Sequence, residues 1–378
     1  MILHLIHDDK VVPRMISLFE KYNADNNLYI CVTRKKKESL FFLRDNPKVV
    51  MAYSKEEKKI PWESIDKVIF HYYDLHKDLY LYYCKLFFRL KEYKIIWFEW
   101  GGDVYPYLEK KGFQLYSDNN SYKKIQEVKK VYNASIKYWV SKTFGYLFDK
   151  VAYLFARSFY EKRVDYIACS IEEYKFFQKY ISFKKCKGTL HFTYYSIEDT
   201  LGELYTSSSK GNSIMIGNSA SETNNHEYSF DFIKELDLKG REIILPLNYS
   251  GSEQYINIVI EKYKIFPNVV FLRDFLRLQD YNRLMISCST FIYGNFRQEA
   301  WGNILISIYL GGKVYLSKNS PLVDVCRQQG FKIFILEDIK NTFDQILSVE
   351  EKMINRRLAL QYYSAKINEK NIKSICAM

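Results

Sequence analysis

The stretch Ile214–His226 combines residue types that could bind an anion. An apolar run ends at Gly217-Asn218-Ser219, and an amphipathic pattern begins near Asn225, which predicts a strand, a tight loop and the first turn of a helix. Backbone N–H groups and the positive end of the helix dipole would then face one point, and Gly217 would let the backbone approach a phosphate closely. An ordinary strand-to-helix turn is the alternative, because the stretch has one glycine and no longer glycine motif.

A second polar run, Asn295–Asn303, also lies between an apolar run and a helical pattern. It looks like the donor-nucleotide site of two-domain glycosyltransferases of the GT-B fold, in which a helix N-terminus faces the diphosphate and a carboxylate holds sugar hydroxyls. That likeness puts Glu299 on the sugar, and it places Arg297 where it could neutralise the diphosphate of the leaving group. A surface salt bridge is the alternative for Arg297. Ser307 stands where the GT-B pattern has a second, ribose-binding glutamate.

Candidate general bases lie in the N-terminal half, each at or near the end of a predicted strand. Asp103 follows a double glycine, which allows a tight turn and would expose the carboxylate at a cleft. Inverting sugar transfer needs one group to take the proton of the acceptor hydroxyl, and a carboxylate or a histidine meets that need. We rank Asp103 first, His71 second and Asp9 third. A helix cap is the alternative for Asp103, and a hydrogen-bonded core position is the alternative for His71 and His4.

Short apolar strands alternate with helical segments along the chain, which predicts an α/β protein with parallel sheets and helices on both faces. The length of 378 residues exceeds that of one average domain. The alternation stops before the Ser-rich stretch 206–212 and then restarts, so we predict an N-terminal domain at 1–205 and a C-terminal domain at 206–378. The final helix could pack back on the first domain. Two doubly wound domains facing across a cleft would hold a ligand at the carboxyl ends of their strands.

The net charge of +12 is concentrated in the N-terminal half, where residues 1–200 hold 35 Lys and Arg against 25 Asp and Glu. Residues 122–164 have ten basic and three acidic side chains, interleaved with aromatic ones in a helical pattern. This composition is typical of a helix that lies in the plane of an anionic membrane. A helix packed on the sheet is the alternative. The residues of this segment that would contact membrane or acceptor are Trp139, Lys142, Phe148, Lys150, Arg157, Lys162 and Arg163.

The residues that bind metals form no cluster in the sequence. Seven scattered cysteines without a C-x-x-C pair predict reduced thiols in a cytosolic protein, and we expect no metal site and no cofactor. No D-x-D motif occurs, which argues against the metal-dependent single-domain glycosyltransferases and predicts activity in EDTA. The N-terminal run lacks the features of a signal peptide, and no uncharged apolar stretch is long enough to span a membrane.

Taken together, these motifs resemble the TDP-N-acetylfucosamine:lipid II N-acetylfucosaminyltransferase family, the 4-alpha-L-fucosyltransferase family of enterobacterial common antigen synthesis. The resemblance runs to about residue 340, and its most specific parts are Gly217-Asn218-Ser219 and the run from Trp100 to Tyr105. The other matching residues are His4, Asp9, His71, Trp97, Lys162, Arg163, Val164, Asn224, His226, Pro246, Tyr249, Arg297, Gln298 and Gly302. The departures are Gly102 in place of a typical Ala, Asn225 in place of an acid, and a longer segment over residues 112–145.

The resemblance implies a GT-B fold, a TDP-sugar-type donor, a polyprenyl-diphosphate-linked saccharide acceptor, inversion at the anomeric carbon and work at the cytoplasmic membrane face. The acceptor side would include Trp100, Gly101 and Tyr105. The donor would be bound by Gly217, Asn218, Ser219, Asn224, His226, Pro246, Tyr249, Arg297, Gln298, Glu299, Gly302 and Asn303.

We therefore predict an inverting, metal-independent glycosyltransferase that moves a 4-acetamido-4,6-dideoxyhexose-type sugar to a lipid-linked saccharide of a surface glycan such as O-antigen, capsule or common antigen. It would be peripheral on the cytoplasmic face of the bacterial inner membrane. One alternative is a GT-B-shaped sugar-nucleotide epimerase or hydrolase, which would turn over the donor alone. The other is a non-catalytic membrane-associated binding protein, with salt-sensitive binding to anionic vesicles or RNA. Nucleic acid is disfavoured because the aromatic residues lie on one long helix and not on a sheet.

Overall fold

The structure is a computed structural model that describes residues 1–73, 82, 85, 86, 89–122 and 150–378. These residues form two compact units. Unit 1 lies within Met1–Phe113, Ile136–Tyr194 and Lys366–Met378, and unit 2 lies within Gln114–Ser135 and Tyr195–Ala365. The predicted boundary was at residue 205, and unit 2 instead begins at Tyr195 and also includes a segment that starts at Gln114. Nearly all of the last helix belongs to unit 1.

Unit 1 contains a parallel sheet of seven strands among the described residues, in the order β3-β2-β1-β4-β5-β6-β7. The strands are β1 Ile2–Ile6, β2 Asn27–Cys31, β3 Val49–Met51, β4 Lys67–His71, β5 Lys94–Phe98, β6 Tyr166–Ala168 and β7 Thr189–Leu190. The helices are α1 Val12–Tyr22, α2 Tyr105–Glu109 and α3 Ile171–Gln178, and residues 150–162 are also helical. Every residue of β1 and β4 is buried, as expected of parallel strands covered on both faces.

Unit 2 contains a parallel sheet with the order β10-β9-β8-β11-β12-β13. Its strands are β8 Ser213–Ile216, β9 Ile243–Pro246, β10 Val269–Leu272, β11 Cys288–Tyr293, β12 Lys313–Leu316 and β13 Phe334–Ile335. Its helices are α4 Ile197–Leu201, α5 His226–Ile233, α6 Glu253–Tyr263, α7 Leu278–Ile286, α8 Trp301–Tyr309, α9 Leu322–Gln329, α10 Ile339–Thr342 and α11 Val349–Tyr363. The predicted α/β class with two doubly wound parallel sheets is therefore confirmed.

The last helix, α12 (Ala365–Ala377), contributes to the core of unit 1. Its Ile372 and Ile375 are buried against the strands of that unit. The Lys67 ammonium donates to the carbonyl oxygens of Ile375 and Cys376 at 3.1 and 2.8 Å. A cation at this position satisfies carbonyl groups that the end of a helix leaves without partners. In the described part of the chain, no helix is long and apolar enough to cross a membrane.

Both sheets reverse their strand order at one place, and these two places position the candidate residues. In unit 1 the reversal lies between β1 and β4, and in unit 2 it lies between β8 and β11. The loops that follow such a pair of strands diverge at their carboxyl ends, which is where doubly wound sheets bind ligands. Asp9 follows β1, Gly217 follows β8, and Arg297 lies in the loop after β11.

Candidate active site

The junction between β8 and α5 has the predicted order of strand, loop and helix, but several of its backbone donors are already bonded within the protein. The N–H of Asn218 donates to Oδ1 of Asn224 at 3.0 Å, and the N–H of Ala220 donates to the carbonyl of Tyr249 at 3.0 Å. The N–H of His226, the first residue of α5, donates to the Tyr255 hydroxyl at 3.3 Å. The expectation of an open anion site at this helix N-terminus is therefore wrong.

A segment of unit 2 that lies far away in the sequence covers the same helix N-terminus. Asn225 is fully buried with a φ of 49°, and its Oδ1 accepts hydrogen bonds from the Ser117 N–H at 3.1 Å and the Asn120 amide at 3.0 Å. Its Nδ2 donates to the Gly294 carbonyl at 3.3 Å. An amide can accept and donate at once, whereas an ionised carboxylate only accepts. This explains why an asparagine suits the position at which the resembled family has an acid.

Gly217 is required by the protein's own side chains. Its φ is +71°, and a Cβ there would lie 2.8 Å from Oδ1 of Asn224 and 3.0 Å from Nε2 of His226. His226 is fully buried, its Nδ1 lies 3.3 Å from the Tyr255 hydroxyl, and burial lowers its pKa to about 4. His226 is therefore a neutral core residue, and the close packing around Gly217 does not depend on a phosphate.

The other residues of this loop bond to one another. Ser219 Oγ accepts a hydrogen bond from the Asn224 amide at 3.1 Å, and the Asn218 amide donates to the Tyr249 hydroxyl at 2.9 Å. Pro246 is buried at the end of β9, and Tyr249 is 38% exposed in the loop that follows. The structure thus brings together most of the loop residues that were predicted to bind the donor.

Arg297 and Glu299 form an ion pair in the loop between β11 and α8. The Arg297 guanidinium lies 2.8 Å from Oε1 of Glu299, and the two side chains are only 15% and 10% exposed. Thr223 joins the pair, because it accepts a hydrogen bond from Arg297 Nε at 3.1 Å and donates one to Glu299 Oε2 at 2.7 Å. Asn295 donates to the same Glu299 oxygen at 2.7 Å. Thr223 was not among the predicted site residues, because its only signal in the sequence is a position in a polar loop.

The first turn of α8 is open, in contrast to that of α5. α8 begins at Trp301, after Ala300 with a φ of 62°. Gly302 is exposed, and a Cβ built on it would meet no atom within 4 Å. Helix geometry leaves the N–H groups of the first turn without intrahelical acceptors, so they can bind an anion where the surface is open. In the same turn, the Asn303 amide donates to the Tyr281 hydroxyl at 3.1 Å, and Gln298 is half-buried in the preceding loop.

Asp103, in unit 1, is fully buried and bonded through both carboxylate oxygens. Its Oδ2 accepts hydrogen bonds from the Trp97 indole at 2.6 Å and the Tyr73 N–H at 3.0 Å, and its Oδ1 accepts one from the Trp100 N–H at 3.3 Å. Burial raises the pKa of the carboxyl to about 6. The expectation of an exposed carboxylate is wrong here, because Asp103 holds the turn after β5 together.

His71 and His4 are core residues of unit 1. His71 Nε2 lies 2.9 Å from His4 Nδ1, and both side chains are fully buried. Burial lowers the pKa of His4 to about 3 and that of His71 well below 6.5. The other ring nitrogen of His71 lies 3.4 Å from the Tyr194 hydroxyl, to which the Trp100 indole also donates. The core alternative therefore describes His71 better than the role of a base in contact with substrate.

Of the three candidate general bases, Asp9 is the one that is partly exposed. It lies three residues after β1, at the point where the sheet of unit 1 reverses its order. Its Oδ1 accepts a hydrogen bond from the Val11 N–H at 3.0 Å, which fixes the carboxylate just before α1. Within the described residues, Oδ2 of Asp9 has no hydrogen-bond donor. This oxygen could accept a proton from an approaching hydroxyl.

Of the described residues that were predicted to contact the acceptor or the membrane, some are buried and others are exposed. Tyr105 and Gly101 are buried, and Trp100 is half-buried. The helix of residues 150–162 exposes Lys150, Arg157 and Lys162, and Arg163 follows it in a half-buried position. The same helix buries Phe159 and Tyr160 in unit 1. This described part of the segment packs on its unit. Trp139, Lys142 and Phe148 lie outside the described residues.

Comparisons with known proteins agree with this architecture. A family model described as 4-alpha-L-fucosyltransferase, glycosyl transferase group 56, matches residues 119–369. HepE from Anabaena, solved with UDP and glucose, is 12% identical with a TM-score of 0.60, over 100% of this chain and 99% of that chain. A Rickettsia africae glycosyltransferase is 12% identical with a TM-score of 0.61, over 99% and 97% of the two chains. WaaG, a glycosyltransferase involved in lipopolysaccharide biosynthesis, is 10% identical with a TM-score of 0.57, over 100% and 98%. At these identities the likeness establishes the fold, which is GT-B.

Proposed function

The chain belongs to the 4-alpha-L-fucosyltransferase family, glycosyl transferase group 56, and from that premise we propose that it transfers a 4-acetamido-4,6-dideoxyhexose-type sugar from a dTDP-sugar to a polyprenyl-diphosphate-linked saccharide. The family and the GT-B fold establish a glycosyltransferase. Inversion at the anomeric carbon, the surface-glycan product and a peripheral position on the cytoplasmic face of the inner membrane are parts of the proposal. A nucleotide-sugar donor is supported by the HepE structures, one of which is a complex with UDP-glucose.

The open first turn of α8 carries this proposal. Its N–H groups and the helix dipole favour a diphosphate, and Gly302 leaves room for it. Arg297 lies in the loop that leads into this turn, and Glu299 and Thr223 hold its guanidinium in place. A cation that is already positioned before the reaction stabilises charge that develops on the leaving diphosphate without further reorganisation. These groups would do the work that a metal ion does in D-x-D enzymes.

We place the general base at Asp9 in preference to Asp103 and His71. The reaction breaks the bond between the sugar and the diphosphate and forms a bond to the acceptor oxygen, whose proton passes to the base. Asp9 Oδ2 is accessible for that proton, whereas Asp103 and His71 are fully buried.

Two substitutions separate these roles. Asp9→Asn should lower kcat by about 10²- to 10⁴-fold with little change in stability. Asp103→Asn should instead lower the free energy of unfolding by about 1–3 kcal/mol. The new amide NH2 group would face N–H donors, such as the Trp97 indole and the Tyr73 N–H, that now donate to the carboxylate. Steady-state kinetics and urea unfolding of both variants measure this. Unchanged kcat in Asp9→Asn would remove Asp9 from the mechanism.

The donor site is tested by a thermal-shift titration with dTDP, UDP and GDP. A ligand at a hundred times its dissociation constant stabilises the native state by about 2.7 kcal/mol. We expect dTDP to stabilise the wild type and to leave the stability of Arg297→Ala unchanged. Arg283→Ala is the matched control, because Arg283 forms an exposed ion pair with Asp280 in the same unit.

Three outcomes would contradict parts of the proposal. Lack of stabilisation by every nucleotide would favour a non-catalytic binding protein. Equal turnover of the nucleotide-sugar with and without an acceptor would favour an epimerase or hydrolase. Loss of all activity in EDTA would contradict the metal-independent mechanism.

A further inference from the structure

The loop between β2 and β3 of unit 1 exposes a pair of aromatic side chains. Phe41 is 81% exposed and Phe42 is 42% exposed, and their rings meet edge to face with centroids 4.8 Å apart. The residues on either side, Leu40 and Leu43, are 1% and 0% exposed. Two adjacent phenylalanines in water leave a large apolar area uncovered, and such a patch is characteristic of an interaction surface.

The exposed pair is held in place by a carboxylate at the end of β1. The two oxygens of Asp8 accept hydrogen bonds from the backbone N–H groups of Phe41 at 2.6 Å, Phe42 at 2.9 Å and Leu43 at 3.0 Å. Bonds to a charged acceptor are about twice as strong as neutral ones. The outward position of the two rings is therefore a built feature of the loop and not the result of a loose chain.

The loop carries more basic than acidic side chains: Arg34, Lys35, Lys36, Lys37, Arg44 and Lys48 against Glu38 and Asp45. Lys35, Lys36 and Arg44 are exposed on the same loop, and within the described residues none of them forms an ion pair. A shallow depression beside Lys35 and Lys36 is lined on its other side by Met51, Ala52, Tyr53 and Ser54. An exposed aromatic pair on a loop with an excess of basic residues matches the two chemistries of an anionic bilayer, an acyl boundary and a layer of phosphates. A second copy of the same patch would oppose like charges.

We propose that the loop of residues 32–48 docks the protein on an anionic bilayer. Phe41 and Phe42 enter the boundary between headgroups and acyl chains, and Lys35, Lys36 and Arg44 bind lipid phosphates. The inference rests on the proposed function, because a lipid-linked acceptor must be reached from the membrane surface. Asp8, which holds the loop, is the neighbour of Asp9, so one short stretch connects the bilayer contact with the proposed base.

Flotation with vesicles of equal parts phosphatidylcholine and phosphatidylglycerol tests the aromatic contact. The double variant Phe41→Ala with Phe42→Ala should bind at least about tenfold more weakly than the wild type. Phe275→Ala is the matched control, because Phe275 is 75% exposed in unit 2 and should leave binding unchanged. Thermal unfolding of both variants is compared with that of the wild type, because Phe42 is more than half covered, and binding is then compared between folded proteins.

A charge-reversal pair tests the basic contact. Lys35→Glu with Lys36→Glu should reduce vesicle binding by more than about tenfold, since each basic residue near an anionic surface contributes about fivefold. Lys366→Glu with Lys370→Glu, at exposed positions of α12, changes the net charge equally and should have a smaller effect. High salt should abolish the difference between the wild type and the loop charge variant, and it should preserve the effect of the two phenylalanines.

The nucleotide thermal shift, measured on the same samples, separates failure of this inference from failure of the proposed function. Wild-type protein that binds a nucleotide but not vesicles would overturn the docking surface and leave the glycosyltransferase proposal intact. Equal vesicle binding by the aromatic variant and the wild type would also overturn it. A wild-type dimer that the two alanines convert to a monomer would assign the patch to a second copy of the chain.

Discussion

The two junctions that follow β8 and β11 have the same local architecture and opposite accessibility. Each runs from a strand at the reversal of the sheet of unit 2 into a helix, α5 or α8. At α5 the N–H of His226 is bonded to the Tyr255 hydroxyl, and Asn225, the residue before the helix, is bonded to the covering residues Ser117 and Asn120, whereas at α8 Gly302 faces open space. A helix dipole favours an anion at both places. Only the junction that the rest of the chain leaves uncovered can bind one.

The two junctions also differ in the role of their glycines, Gly217 and Gly302. Gly217 is surrounded by the side chains of Asn224 and His226, so its lack of a Cβ serves packing within the protein. Gly302 has no neighbour near its Cβ position, so no contact within the protein requires a glycine there, and in the proposed function its lack of a side chain leaves space for a ligand. Three variants, from the largest expected effect to the smallest, test the comparison through stability or affinity, and a fourth tests it through the response to pH.

Gly217→Ala should lower the free energy of unfolding by about 2–4 kcal/mol. The φ of +71° is unfavourable for alanine, and the new Cβ would approach Asn224 and His226 within 2.8 and 3.0 Å. Urea unfolding measures the loss. A variant as stable as the wild type would show that the loop can move, and the closed junction would then lose its main support.

Asn225→Asp should cost about 1–3 kcal/mol of stability at neutral pH. The carboxylate would place an oxygen against the Gly294 carbonyl, which now accepts a hydrogen bond from the amide. Chemical denaturation compared with Asn319→Asp, an exposed asparagine of the same unit, gives the value. Similar stability of the two variants would mean that the dual role of the Asn225 amide is unimportant.

Gly302→Ala should weaken nucleotide binding about tenfold, a loss of about 1.4 kcal/mol, without loss of stability. The methyl group would project into the proposed diphosphate site, while alanine is a better helix former than glycine by about 1 kcal/mol. Calorimetric titration and thermal unfolding measure the two effects. Unchanged affinity would remove the diphosphate from this turn.

His226→Asn should reduce the acid sensitivity of the protein. Burial lowers the pKa of His226 to about 4 from 6.5, so the unfolded state takes up a proton in that interval that the folded state does not. Stability therefore falls as pH decreases from about 6.5 to 4, by up to about 1.4 kcal/mol per pH unit for this residue. Urea midpoints at several pH values should show a smaller slope in the variant. Part of the pH dependence of stability should remain in the variant, because burial also lowers the pKa values of His4 and His71.

Properties that depend on neighbouring residues could be predicted from the sequence. The alternation of short apolar runs and helical patterns predicted two doubly wound sheets, and the motifs around Gly217 and Arg297 led to the family that the comparisons confirm. The helix after Asn295-Phe296-Arg297 was expected from its pattern and is α8. These features are local, because the periodicity of a strand or helix is contained in a few consecutive side chains.

The tertiary structure decided what depends on residues distant in the sequence. Ser117 and Asn225 are 108 positions apart, and their bond helps to close the α5 N-terminus on which an anion site had been expected. Asp103 looked like an exposed base after a double glycine, yet Trp97 and Tyr73 enclose it. Burial and hydrogen-bond partners come from the packing of the whole unit, and no run of consecutive residues contains them. The sequence by itself therefore determined the fold, the family and the class of reaction, while packing decided which of the candidate groups remain accessible to a substrate.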